Sequence, residues 1–86
     1  MRVDKFLWSV RLFKTRSIST ARVNEGKVDV GGVVVKASRE LKVGEEVRVR
    51  GGAHYELVQV LAFPKGRVGA KLVEEYIIDK TLNCLH

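Results

Sequence analysis

The chain has 86 residues, 45% hydrophobic and 30% charged, with a formal net charge of +6. That length buries roughly 60–65% of the unfolded surface, enough for one modest core and one domain, and the composition is too apolar for wholesale disorder. The single cysteine, Cys84, excludes an internal disulfide, and no stretch reaches the length of a signal-peptide core or a membrane span, so a reducing, cytoplasmic setting is expected.

Val3, Phe6, Leu7 and Val10 follow the i, i+3, i+4, i+7 spacing of a helix with one buried stripe, and Lys5, Trp8, Ser9 and Leu12 fall away from it. The run Phe13-Lys14-Thr15-Arg16-Ser17 interrupts the pattern, and Thr15 or Ser17 can cap a second helix. That helix is expected to run to about Glu25, with Ile18, Ala21 and Arg22 on one face, and Gly26 is suited to the left-handed conformation that ends it. From Lys27 the period changes to two. Lys27–Val30, the Gly31-Gly32 pair and Val33–Lys36 predict a hairpin. Residues 37–42 read as a connector, and Val43–Glu46 as a turn into the strand Val47–Arg50. Gly51-Gly52 punctuates again before a long strand from about Tyr55 to Phe63, which Pro64-Lys65-Gly66 breaks. Val68, Leu72 and Tyr76, four residues apart, predict a short third helix. Ile77–Asp79 is expected as an edge strand, with a frayed tail over Thr81–His86. The expected fold is α+β: two N-terminal helices on a small, mainly antiparallel sheet, with the short third helix near the C-terminus.

The charge is one-sided. Residues 1–39 hold nine Lys/Arg (Arg2, Lys5, Arg11, Lys14, Arg16, Arg22, Lys27, Lys36, Arg39) against Asp4, Glu25 and Asp29, and the remainder balances at seven of each sign. Such a field suits an anionic polymer, nucleic acid first, because several phosphates are neutralised at once and their counterions released. A plain solubility surplus is the competing reading. Within the basic half, the junction Lys14-Thr15-Arg16-Ser17 sets two long cations and two hydroxyls at a helix start, a combination that favours an anion. Arg16 can grip a phosphate with two parallel hydrogen bonds, and Lys14 acts as a mobile point charge.

Arg2–Trp8, Lys14–Ser17, Gly26–Val30 with its glycine turn, Lys36–Arg39 and Val43–Val47 stand in the order and spacing of a known family. The stretch 2–50 resembles the RNA-binding domain named after small-subunit ribosomal protein S-four, the alpha-L motif. The "DKFLW" start joined to "KTRS" is most similar to the fifteen-kilodalton ribosome-associated heat-shock protein group, and the run from Pro64 to Asp79 resembles the tail of its short bacterial members. Gly31, Ala37 and Arg22 depart from the usual Asn, Pro and small or apolar residue. The resemblance divides the chain into an RNA-binding core, 1–50, and a strand-helix extension, 51–86. It implies a non-catalytic binder of structured RNA, with large-subunit ribosomal RNA as partner and peptidyl-tRNA as a candidate second one, acting in rescue or quality control of stalled translation. DNA ranks below RNA as a partner, and a monomer is expected.

Duplex RNA hides its base edges, so proteins read its shape through phosphates and 2′-hydroxyls. On that reading Lys5, Arg11, Lys14 and Arg16, with Thr15 and Ser17, form the leading RNA-contact set. Arg2, Lys36, Ser38 and Arg39 form a second ring, which reaches the same face if the hairpin folds back beside the helices, as the resemblance implies. The competing reading of Arg2 and Lys5 is a polar helix face. Trp8 is placed either to stack on a base or to cover a second subcore against the third helix, and Arg22 to run its stem along the core. His54, Cys84 and His86 lack metal-ligand spacing, and no phosphate-cradling loop or nucleophile motif occurs, so neither cofactor, metal nor catalysis is expected. Asp4 reads as support for a helix N-terminus. Two other classes fit in part. One is a recognition module for a separate RNA-modifying enzyme such as a pseudouridine synthase; the other is a protein-interaction module whose Ile77-Ile78 edge pairs with another chain.

Overall fold

The computed structural model describes residues 1–51 and 54–80; expectations for Gly52, Cys84, His86 and the tail from Thr81 lie outside these residues. Helices α1 (Val3–Ser9) and α2 (Arg16–Arg22) precede five strands: β1 (Val28–Val30), β2 (Val33–Val34), β3 (Glu46–Gly51), β4 (His54–Val60) and β5 (Ile77–Asp79). A 3₁₀ helix, Ala70–Glu75, lies between the last two. The strands form one antiparallel sheet in the order β2-β1-β3-β4-β5. The architecture is α+β, as the pattern predicts.

Val3, Phe6, Leu7 and Val10 are all buried, and they meet Val28, Val30, Val47, Val58, Val60 and Ile77 from the sheet in one core. The alternation along β3 and β4 aligns with the pairings Val47↔Val58 and Val30↔Val47, so the apolar residues of neighbouring strands share the helix-facing side. The hairpin turns on Gly31 (φ 61) and Gly32 (φ 89), both in the left-handed region that a two-residue turn of this hand requires. Gly26 (φ 83) closes the wide turn Val23–Lys27 that leads from α2 into β1.

Four local expectations are corrected. Ser9 is fully buried, because residues 63–68 return along α1 and cover its second side: Phe63 meets Phe6 edge-on at 5.9 Å, and the Val68 N–H donates to the Ser9 carbonyl at 3.0 Å. In α2 the buried position is Ser19, followed by Val23 just past the helix, whereas Ile18, Ala21 and Arg22 face solvent. The Ser19 hydroxyl donates to the Asp4 carbonyl at 2.7 Å, so a small polar residue is what lets the two helices approach. Arg22 lies out in solvent and pairs with Glu25 at 3.2 Å. Strand β4 stops at Val60, since the N–H groups of Leu61 and Ala62 both turn to the Tyr76 carbonyl. The third helix has a three-residue period: Val73 and Tyr76 pack toward the core, and Leu72 is 47% exposed.

Leu7 is completely enclosed, so Leu7→Ala is expected to cost about 2–5 kcal/mol through the cavity it leaves. Urea unfolding measures this, and a loss below about 1 kcal/mol contradicts the packing described.

Candidate nucleic-acid interface

The interface is built around a carboxylate. Asp4, in the first turn of α1, is 1% exposed. Its Oδ1 accepts from the Lys5 N–H at 2.8 Å and from Arg2 Nε at 3.2 Å. Its Oδ2 accepts from Arg2 Nη2 at 3.1 Å and from the Thr20 hydroxyl at 2.8 Å. Arg16 Nη2 stands 3.8 Å from Oδ1. Two guanidinium heads, one from the residue before α1 and one from the first residue of α2, are thus held beside one buried anion while their side chains stay 45% and 43% exposed. Each guanidinium carries five N–H donors in a fixed fork, and Asp4 engages only part of that capacity, so donors remain for a phosphate.

The connector completes the surface. The Val3 N–H donates to the Arg39 carbonyl at 2.8 Å, the Leu41 N–H to the Met1 carbonyl at 2.9 Å, and Arg2 pairs with Glu40 as an antiparallel bridge. Residues 39–41 therefore run alongside 1–3, which brings Arg39 next to Arg2 in the chain path. The Asn24 side chain accepts the Ala37 N–H at 3.0 Å and ties the connector to the end of α2. Arg39 itself is engaged: it makes two parallel bonds to Glu45 at 2.9 and 3.2 Å and donates to the Glu40 carbonyl. The guanidinium beside Glu45 holds that carboxyl below its ordinary value against the opposing effect of burial, and the Lys42 N–H adds to the lowering.

At the junction Thr15 is the cap of α2, its hydroxyl accepting the Ile18 N–H at 3.1 Å; Ser17 lies within the helix and faces solvent. Lys14 and Arg16 flank the cap, both exposed. Arg11 adopts φ 67 and donates to the Val68 carbonyl at 3.2 Å. Among the described residues Lys5, Arg11, Lys14 and Lys36 have no carboxylate partner. Among the described residues no hydrogen bond or ion pair ties Lys36, Ser38 or Ser17 to the Asp4 carboxylate. One face of Trp8 is taken by Arg67, whose guanidinium carbon lies 5.6 Å from the ring centroid.

From the sequence alone Asp4 reads only as support for a helix end, and Thr20, Asn24 and Arg67 carry no motif that marks them. A lone acid amid the cations of residues 1–24 was the one available signal for Asp4. Arg67, in irregular chain beyond a strand, carries no periodic signal. Among the described residues no group of three His, Cys, Asp or Glu is placed to hold a metal ion, and no helix is long and apolar enough to cross a membrane.

The S4 domain family model matches residues 1–47, the stretch that holds both helices, the hairpin and the connector. The chain belongs to the S4 domain family. A Helicobacter pylori protein named RQC P-site tRNA stabilizing factor is 38% identical over 84 residues, covering 94% of this chain and 98% of its own. A heat shock protein 15 homolog of Haemophilus influenzae is 36% identical over 70 residues, 81% of this chain, and the match spans 53%, about half, of the Haemophilus protein's length. The trimeric structure of Vibrio cholerae heat shock protein 15 superposes with a TM-score of 0.86 at 29% identity, over 93% of this chain and 81% of that one. The Asp4 cluster and the connector of this S4 domain both lie inside the matched stretch.

Two outcomes follow from this geometry. Asp4→Asn keeps the shape but removes the anion from between two cations, and is expected to cost about 1–3 kcal/mol of stability, read by urea unfolding; an unchanged midpoint removes Asp4 as the organiser. The lowered carboxyl of Glu45 contributes stability that is complete above the ordinary carboxylate value of about 4.3 and is lost as pH falls through its lower folded value. The thermal midpoint of Glu45→Gln should therefore fall less steeply on acidification than that of the unmodified chain, and parallel acid limbs contradict the pairing.

Proposed function

We propose that the chain is a non-catalytic binder of structured ribosomal RNA that acts on the large ribosomal subunit, in the cytoplasm, during rescue or quality control of stalled translation. The observation that carries this reading is the pair of half-exposed guanidinium groups, Arg2 and Arg16, anchored on buried Asp4. Duplex RNA is read by shape, through phosphates and 2′-hydroxyls, and that needs cations fixed on a rigid surface rather than a cleft. The relatives' names support the setting: one is a P-site tRNA stabilizing factor, which points to peptidyl-tRNA as a second partner.

In this reading residues 1–50 are the RNA-binding core and 51–86 its extension. Lys5, Arg11, Lys14, Arg16, Thr15 and Ser17 face the RNA, with Arg2, Lys36, Ser38 and Arg39 around them. Arg39 reaches a phosphate by exchanging it for Glu45, a swap of one bidentate oxyanion for another. Trp8 has one face left for a base or sugar, since Arg67 occupies the other. The chain acts as a monomer; the trimeric Vibrio neighbour supplies the alternative, which the gradient below reads directly.

Contact with about five or six phosphates gives log K against log[salt] a slope of roughly −4 to −5. Arg16→Ala is expected to weaken binding to purified large-subunit ribosomal RNA by about 1–3 kcal/mol with the fold intact. A flat salt response, or an unchanged affinity in the folded variant, overturns the interface. On a sucrose gradient of lysate the chain should travel with large subunits; a position only at the top as a free monomer or trimer contradicts the ribosomal assignment.

A further inference from the structure

Behind the α1–α2 junction, a segment outside the stretch matched by the family grips the junction from below. We propose that Arg67 is a positioning residue for RNA binding, a brace that fixes the direction in which the junction presents Lys14; this rests on the RNA-binding reading above.

Arg67 Nη1 donates to the Lys14 carbonyl at 2.7 Å. The same guanidinium lies over the Trp8 ring at 5.6 Å, and its Nε is buried without a partner among the described atoms. The next residue locks in on both sides: the Val68 N–H donates to the Ser9 carbonyl at 3.0 Å, and the Val68 carbonyl accepts from Arg11 Nη1 at 3.2 Å. Two adjacent residues thus hold the end of α1, the chain reversal after it and the first residue of the junction, across more than 50 positions of sequence.

Arg16 is also held beside Asp4, but the Lys14 side of the junction has little else to fix it. Residues 14–18 are all exposed, so no core packing sets their direction. The Thr15 cap holds the start of α2, but it leaves the residue before it free to turn. The reversal also carries a cost. Arg11 takes φ 67, a conformation unfavourable for a residue with a Cβ, and its hydrogen bond to Val68 offsets part of that. Nε of Arg67 is buried and Nη1 is engaged by the Lys14 carbonyl, which suits a brace better than a phosphate contact. A lysine at 67 could not serve in the same way, because only the planar fork can lie on the indole while it donates in-plane to a carbonyl.

The test is a double-mutant cycle on the whole chain, with purified large-subunit ribosomal RNA as probe at one fixed salt concentration. Arg67→Ala and Arg67→Lys are each expected to weaken binding about tenfold, with thermal midpoints well above the assay temperature. Adding Lys14→Ala to Arg67→Ala should weaken binding by no more than about a further twofold, because an unbraced Lys14 has already lost most of its contact. Trp8 is the chain's single tryptophan, so its emission reports the brace directly and should change in Arg67→Ala. Full additivity of the two substitutions overturns the proposal and makes Arg67 a separate phosphate contact. Unchanged affinity in Arg67→Ala, or unchanged Trp8 emission, overturns it as well. If the unmodified chain fails to bind RNA, the RNA-binding reading falls and the brace with it; if only the coupling fails, that reading stands.

Discussion

A surface that gathers cations must first survive their mutual repulsion. Two unit charges about 5 Å apart in a medium of effective dielectric 20 repel by about 3 kcal/mol, a large share of the stability of a domain this small. Asp4 answers that constraint. It is buried, accepts from both helices, and lies between the guanidinium groups of Arg2 and Arg16. Had the acid been exposed, water and salt would have screened it and the two arginines would have kept their rotamer freedom. Enclosed, it fixes where the heads sit and joins α1 to α2 in the same act. The positive surface and the helix pair therefore share one cause.

Elsewhere the same economy recurs in weaker form. Glu45 holds Arg39 at the connector, and Glu25 lies between Arg22 and Lys27 beyond α2. Partnered in this way, an arginine is not withdrawn from binding. A phosphate offers the fork the same two-oxygen geometry as a carboxylate, so the partner can be exchanged without re-ordering the side chain. Lys5, Lys14 and Lys36 have no such carboxylate among the described residues. Arginines set geometry here, and lysines add field.

The readable part of the fold is the part governed by short-range rules. Gly31-Gly32 between two alternating runs, Gly26 after a helical run and a hydroxyl at Thr15 each mark a backbone need that few residues meet, and each stands where the rule puts it. The α1 stripe was readable because four apolar residues on one face leave one way to pack. What escaped the reading came from chain that returns over long distances. Ser9 is buried because residues 63–68 cross α1, and Ser19 because it bonds to the Asp4 main chain. No helical wheel contains either fact. The candidate cations were readable as a set, whereas the acid that arranges two of them reads in isolation as an ordinary helix-end residue.

The position of Arg11 shows how the two halves of the chain depend on each other. The last turn of α1 is closed by the Leu12 N–H on the Leu7 carbonyl and the Arg11 N–H on the Trp8 carbonyl, a geometry that places the intervening residue in the left-handed region. Glycine fills that place at the least backbone cost, so an arginine there must gain through its side chain. In this structure that gain is the bond to Val68, a residue beyond β4. The first 47 residues supply the S4 fold and the cations, yet the chain reversal between its helices is tethered by the C-terminal segment. A truncation after β3 would thus remove two sheet strands and also the carbonyl to which the Arg11 side chain bonds. The junction and the segment after β4 are tied into one unit by three hydrogen bonds, from Arg67 to the Lys14 carbonyl, from Arg11 to the Val68 carbonyl and from the Val68 N–H to the Ser9 carbonyl.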